Sequence, residues 1–166
     1  MLDGKVELVG IAGGRITLMH HLAQINIATT RYPLGSAEMK EFVDALEVIN
    51  ALAESSPGFI WRLTGEDDNA TEYRPFDDDR IIVNISVWTD LESLKSYVYN
   101  SVHTDYLRRR KEWFEIMREA YTVLWWVEPG HTPDIEEAKA KLESLRVNGS
   151  TPAAFAFREP FTAPQR

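Results

Sequence analysis

Two side chains in this sequence could move a proton or bind an anion beside a small molecule. His103 lies in SYVYNSVHTDYLRRRKEWF, between two helical patterns, and a histidine can act as a general base near neutral pH. Arg62 lies in the predicted strand FIWRL, on the face opposite Trp61. A buried guanidinium requires a carboxylate, which either the protein or a ligand supplies. The sequence therefore makes His103 and Arg62 the candidate catalytic residues.

Both residues also have an ordinary structural interpretation. His103 could cap the second helical segment or hydrogen-bond the preceding loop. Arg62 could pair with Glu128 on a neighbouring strand, or with solvent at the rim of the sheet. Three nearby tyrosines could orient a phenolic ligand or simply pack: Tyr97, Tyr99 and Tyr106.

The elements that must position these residues follow from hydrophobic periodicity. Alternating apolar residues predict strands at 20–28, 59–63, 80–88 and 121–129, and a short added strand at 153–157. Helical spacing predicts a helix capped by Ser36 and ended by SSPG at 55–58. Further helices are predicted from Thr89 or Asp90 to about Tyr99, from about 104 to 119, and from a cap at Asp134 to 147. The order strand, helix, strand, strand, helix, strand predicts a ferredoxin-like α+β sandwich with an antiparallel sheet and an appended C-terminal helix and tail.

Each strand has one almost purely apolar face and one mixed face. We expect the apolar faces to point at the two helices, which leaves the mixed faces open. The mixed faces are too apolar to be fully exposed to solvent and too polar to form an ordinary hydrophobic core. Two such sheets facing each other would therefore enclose a pocket lined by apolar and polar groups. The alternative is a dimer core whose amides pair with one another. The candidate substrate-binding residues are Gln24, Asn26, Asn84, Ser86, Trp88, Trp126 and Tyr99.

Composition excludes several other classes of protein. A length of 166 residues predicts a single domain. We assign this domain to residues 19–166 and interpret the weakly organised residues 1–18 as an N-terminal extension. A net charge of −8 argues against nucleic-acid binding, and the sequence has no apolar run long enough to span a membrane. The absence of cysteine fits a cytoplasmic location. The histidines and carboxylates lack metal-ligand spacing, so we expect no metal site.

Several segments are similar to the family known as domain of unknown function 3291, within the dimeric α/β-barrel superfamily. They are HLAQINIA, INALAESSPGFIWRL, NISVWTDLESLKSYVYNSVHTDYLRRRKEWF and LWWVEPGHTPDIEEAKAKLESLRVNGSTPAAFAF, and together they extend over residues 20–157. The resemblance implies a barrel formed by a homodimer. The superfamily includes cofactor-independent antibiotic-biosynthesis monooxygenases, haem-degrading monooxygenases, and small decarboxylases, dehydratases and isomerases. The resemblance does not select one of these reactions.

These observations favour a small-molecule-binding protein that acts on a hydrophobic, oxygenated substrate as a cofactor-independent monooxygenase-like enzyme. In that hypothesis His103 takes a proton, and Asn84, Gln24 or Arg62 stabilises the resulting enolate. One alternative is a haem-binding or haem-degrading protein, since a helix histidine is the axial ligand in the haem-binding relatives. The other is a non-catalytic binding or structural dimer.

Overall fold

The computed structural model describes residues 19–101 and 103–165, so the expected extension at 1–18 lies outside the described residues. The described residues form four strands and four α-helices. In chain order they are β1 (His21–Thr29), α1 (Lys40–Ser55), β2 (Phe59–Arg62), β3 (Ile81–Trp88), α2 (Leu91–Tyr99), α3 (His103–Trp113), β4 (Thr122–Val127) and α4 (Ile135–Asn148).

Two of the predicted helix caps are confirmed. Asp90 accepts a hydrogen bond from the Ser93 backbone N–H at 2.7 Å, at the start of α2. Asp134 accepts one from the Glu137 N–H at 2.7 Å, at the start of α4. Each bond satisfies an N–H group that the first helical turn leaves without a partner.

Two other helix ends differ from the prediction. Ser36 makes no capping bond; it precedes a short 3-10 helix, Ala37–Met39, and α1 begins after it at Lys40. The third helix ends at Trp113 because Phe114 forms a β-bridge with Thr30 and leaves the helical path.

The strands form one antiparallel sheet in the order β2-β3-β1-β4. This order confirms the predicted ferredoxin-like α+β fold. The register places Gln24 opposite Ser86, and Asn26 opposite both Asn84 and Thr122. Polar residues from separate strands therefore meet on one face, which we call the mixed face.

The opposite, apolar face is buried within the single chain. Ile25, Ile85 and Val123 are 0% exposed. The cover consists of the loop 65–79 and of α4, whose buried residues are Ala138, Leu142 and Leu145. The face predicted to pack on the first two helices is thus covered by the appended helix.

The mixed face packs against α1 and α2. Leu22, Trp88 and Leu124 form one buried cluster with Ala53 of α1 and Leu94 of α2. The prediction that the apolar faces point at these helices is therefore wrong. The physical reason is that alternation fixes which residues share a face but not which helix covers that face, and α4 brings its own apolar stripe to the more apolar side. A barrel between two sheets stays a prediction.

The segment after α4 lies along the outer edge of β4. Phe155 and Leu124 exchange backbone hydrogen bonds of 2.8 and 2.9 Å, and the Phe155 side chain is 0% exposed within the mixed-face cluster. The short strand predicted at 153–157 is reduced to this bridge and a second one between Thr151 and Ala154. This segment gives the mixed face a wall on the β4 side.

Candidate functional site

A chain of hydrogen bonds crosses the middle of the mixed face. Gln24 Nε2 donates to Asn84 Oδ1 at 2.7 Å and to Ser86 Oγ at 2.9 Å. Trp88 Nε1 donates to the same Ser86 oxygen at 2.9 Å. Gln24, Ser86 and Trp88 are buried, whereas Asn84 is exposed. We call these four residues the polar chain; it leads from solvent at Asn84 to a buried end at Trp88.

The next level of the sheet is also polar. Asn26 Nδ2 donates to Thr122 Oγ1 at 2.7 Å, and both residues are half-buried. Because Asn26 lies opposite Asn84, the exposed end of the polar chain is flanked by a second amide–hydroxyl pair. Four of the predicted binding residues, Gln24, Asn26, Asn84 and Ser86, are thus brought together.

Aromatic rings continue from the buried end of the polar chain. The Tyr97 ring stacks on Trp88 with centroids 5.1 Å apart and an interplanar angle of 25°. The ring of His103 lies 4.9 Å from that of Tyr97. Burial raises the pKa of Tyr97 to about 12, against a smaller lowering by the Arg62 charge, so this phenol stays protonated. The predicted Trp88 and His103 are therefore connected through Tyr97.

His103 is the first residue of α3, and its backbone N–H donates to Ser101 Oγ at 3.2 Å. Its Nδ1 lies 3.3 Å from the Val98 carbonyl oxygen; a carbonyl can only accept, so Nδ1 carries the proton. Among the described residues none is hydrogen-bonded to Nε2. Burial lowers the pKa of His103, although the bond to Val98 opposes this. The neutral ring therefore presents an unprotonated Nε2 with a free lone pair.

Arg62 lies on the mixed face, opposite Ser86 in the register. Its Nε donates to Glu54 Oε1 at 2.8 Å, and its Nη1 donates to the Asp68 carbonyl at 2.8 Å. Its Nη2 lies 3.1 Å from Asp68 Oδ1. The carboxylate partners are thus Glu54 of α1 and Asp68 of the following loop, whereas the sequence pointed to Glu128. Arg62 is 7% exposed, and its guanidinium is bonded to α1 and to the loop after β2, an arrangement that fixes the position of β2.

The other two predicted residues lie at the C-terminal segment, away from the polar chain. Trp126 Nε1 donates to the Phe161 carbonyl at 2.8 Å. Tyr99 is 53% exposed, and its ring meets the edge of Phe157 at 6.2 Å. Trp126 and Tyr99 therefore make no hydrogen bond to the polar chain, although Trp126 lies on the same level of the sheet as Trp88, which is at the buried end of that chain.

Two residues near the site were not among the predicted catalytic or substrate-binding residues, although Tyr97 was named as a tyrosine that could orient a ligand or simply pack. The sequence showed Tyr97 next to His103, but only the packing of α2 on β3 reveals that it stacks on Trp88. His20 is 8% exposed, its Nδ1 is buried without a partner, and its Nε2 lies 3.6 Å from Glu128 Oε1. His20 lies two residues before Leu22, so the alternation in the sequence already placed it on the mixed face.

Two surface depressions among the described residues lie away from the polar chain. One, of about 460 Å³, is a groove between α1 and Tyr106 that includes Ala45 and Val48; we call it the α1 groove. A second, of about 400 Å³, lies between Phe76 and α4. Neither is lined by the polar chain. The helix layer covers the buried part of the site, so a ligand reaches Asn84 first.

No helix among the described residues has the length and apolar character to cross a bilayer.

Comparison with known proteins places the chain in a family but gives no activity. A family model described as "Domain of unknown function (DUF3291)" matches residues 21–166. No curated protein matches.

Solved structures resemble the chain in outline. A conserved protein from Methanosarcina mazei Go1 is 14% identical, with a TM-score of 0.46, covering 66% of this chain and 93% of its own. SnoaB, a cofactor-independent oxygenase from Streptomyces nogalater, is 18% identical, with a TM-score of 0.44 and coverages of 69% and 99%. Scores this low transfer no function, so the site has to be interpreted from its own chemistry.

Proposed function

The chain belongs to the DUF3291 family, and because the function of that family is unknown we propose one from the site itself. In this proposal the protein binds a hydrophobic, oxygenated small molecule against the mixed face. His103 then removes a proton from it, in a cofactor-independent, monooxygenase-like reaction.

The observation that carries the proposal is the state of His103. Its Nδ1–H is held by the Val98 carbonyl, which fixes the tautomer and leaves the Nε2 lone pair available. Its lowered pKa keeps the ring neutral at pH 7. A neutral imidazole beside buried aromatic rings is the state that a general base requires before it accepts a proton.

The binding chemistry follows from the polar chain and the rings. Gln24 holds Asn84 through Oδ1, and the Asn84 Nδ2 donor has no partner among the described residues. An oriented amide donor of this kind can stabilise an enolate or phenolate oxygen. The rings of His103, Tyr97 and Trp88 follow one another at centroid distances of 4.9 and 5.1 Å, so the buried end of the site is apolar and suits a hydrophobic ligand.

The proposed reaction balances with dioxygen as the oxidant. The substrate C–H proton passes to His103 Nε2, and the substrate anion passes one electron to O2. The two radicals combine into a peroxide. Loss of water from the peroxide, with the proton returned by His103, leaves a carbonyl on the substrate. Arg62 contributes by fixing β2 next to Ser86, because its charge is already paired with Glu54 and Asp68.

Oxygen uptake with a panel of dihydroxynaphthalenes and anthrone tests the proposal. His103→Gln should lower the rate about 10²- to 10⁴-fold, the usual contribution of a general base. His131→Gln is the matched control, since His131 is exposed and held by Glu137 away from the site. An unchanged rate in His103→Gln contradicts the catalytic role; binding without any oxygen uptake contradicts the oxygenase and leaves a binding protein.

The same free Nε2 would also suit haem iron. Neither of the two depressions is lined by His103, and its ring already packs against Tyr97 at an interplanar angle of 38°. The described residues thus fit a haem plane poorly, and we derive no step through haem. Haem titration is expected to give no Soret band, and a band lost in His103→Gln would reverse this conclusion.

A homodimer remains part of the proposal, as does a cytoplasmic location. Both sheet faces are covered within the chain, so the exposed apolar side chains of Val43 and Val48 on α1 support a dimer contact through that helix. Light scattering during size-exclusion chromatography separates monomer from dimer.

A further inference from the structure

We propose that the Trp126 end of the mixed face is a subsite for an aromatic ring bearing a carbonyl group, and that the chain's own Phe161 occupies this subsite as an internal ligand. The inference deepens the proposed function, on which it rests for the location of the site, and it names the class of molecule that the site accepts.

Phe161 makes two contacts of different kinds in this subsite. Its carbonyl oxygen accepts the Trp126 Nε1–H at 2.8 Å. Its ring packs on Phe155 with centroids 6.0 Å apart and an interplanar angle of 54°. Phe155 also lies 6.4 Å from the Trp126 ring. The subsite thus consists of one hydrogen-bond donor and one aromatic floor.

The floor is fixed, whereas the occupant is loosely held. Phe155 is 0% exposed and tied to Leu124 by two backbone bonds. Phe161 is 36% exposed and lies in an exposed stretch, residues 158–162. Beyond Glu159, the bond from Trp126 is the only hydrogen bond that the described residues make to the tail. The tail can therefore leave while Phe155 and Trp126 stay in place.

The donor and the floor define the chemistry of a replacement ligand. An indole N–H can only donate, so it requires an acceptor oxygen. An aryl ketone supplies that oxygen and a ring from one rigid molecule, which loses little conformational freedom on binding. The ligand must displace the tail. Because the tail belongs to the same chain as the subsite, its effective concentration there is high.

The subsite is continuous with the candidate site. Trp126 lies opposite Leu22 on β1, and Leu22 lies opposite Trp88 on β3. These three residues form one level of the mixed face, and all three belong to the same apolar cluster. A ligand anchored at Trp126 would extend towards the aromatic stack of Trp88 and Tyr97.

Calorimetric titration of the full chain with 2-acetylnaphthalene tests the subsite, and 2-isopropylnaphthalene serves as the probe without a carbonyl. Phe161→Ala removes the ring contact with Phe155 and keeps the backbone carbonyl. If the tail occupies the subsite about nine-tenths of the time, this variant should bind the ketone more tightly than the wild type, by up to about tenfold. Thr162→Ala, at the exposed neighbouring position, is the matched control and should bind like the wild type.

The hydrogen bond is tested in the Phe161→Ala background. Adding Trp126→Phe should weaken ketone binding about three- to tenfold, the loss expected for one hydrogen bond, and should leave binding of the hydrocarbon nearly unchanged. Circular dichroism confirms that each variant is folded. Equal ketone affinity in wild type and Phe161→Ala, or equal weakening for both probes, would overturn the proposal. The subsite is measured by binding affinity and the proposed catalysis by oxygen uptake, so failure of one is distinguishable from failure of the other.

Discussion

Replacing Ser86 by alanine should destabilise the protein by about 2 kcal/mol, although it removes only one oxygen atom. Ser86 Oγ accepts hydrogen bonds from Gln24 Nε2 and Trp88 Nε1, each at 2.9 Å. Ser86 is 6% exposed and Trp88 is 1% exposed, so water cannot readily replace the lost acceptor.

The magnitude follows from the donors that are left behind. An unsatisfied buried donor costs about 1–3 kcal/mol. Trp88 Nε1 would lose its only described partner and take most of that penalty, whereas Gln24 Nε2 would keep its bond to Asn84 at 2.7 Å. For a chain of this length, about 2 kcal/mol corresponds to a fall in Tm of about 4–8 °C.

Urea unfolding of Ser86→Ala, followed by circular dichroism, measures the loss. Ser55→Ala is the matched control, since that exposed hydroxyl donates only to the Leu52 carbonyl, and its cost should stay within about 0.5 kcal/mol. In the Trp88→Phe background no indole donor remains, so the cost of Ser86→Ala should fall below about 1 kcal/mol. An equal cost in both backgrounds would refute the argument that Ser86 satisfies Trp88.

Three further outcomes are expected. Asp134→Ala should lower the free energy of unfolding by about 1 kcal/mol because α4 loses its N-cap, and urea unfolding with no measurable loss would contradict this. Leu142→Ala, at a residue that is 1% exposed under the apolar face, should cost about 2–5 kcal/mol; a cost below about 1 kcal/mol would show that α4 does not cover that face. Burial lowers the pKa of His103, and burial and the His20 charge lower that of His21. Their contribution to stability is complete above the ordinary value of 6.5 and is lost as the pH falls through the folded pKa values. Tm should therefore fall on acidification, and less steeply in His21→Gln/His103→Gln; equal slopes would contradict the pKa shifts.

The sheet could be predicted because a period of two is visible along a single strand. The alternation around Gln24 and Asn84 located β1 and β3 and put their amides on the same face, where the structure joins them by a hydrogen bond. The aspartates at 90 and 134 predicted two helix starts because their capping bonds are local in sequence.

Long-range arrangement could not be predicted in the same way. Nothing in the pattern of α4 shows that it, rather than α1 or α2, covers the apolar face. The partners of Arg62 depend on where α1 ends and on the fold of the loop that carries Asp68. The role of Tyr97 depends on the distance between α2 and β3. These features depend on packing between elements, and periodicity within an element carries no information about them.

The most direct measurement for the central claim is a crystal structure of the protein purified from cell extract and kept with its native ligand. The account predicts density for a flat, oxygenated molecule over the mixed face. One of its oxygens should lie about 3 Å from Asn84 Nδ2, and a carbon bearing hydrogen should lie next to His103 Nε2. A ligand bound in the α1 groove, touching neither Asn84 nor His103, would contradict it.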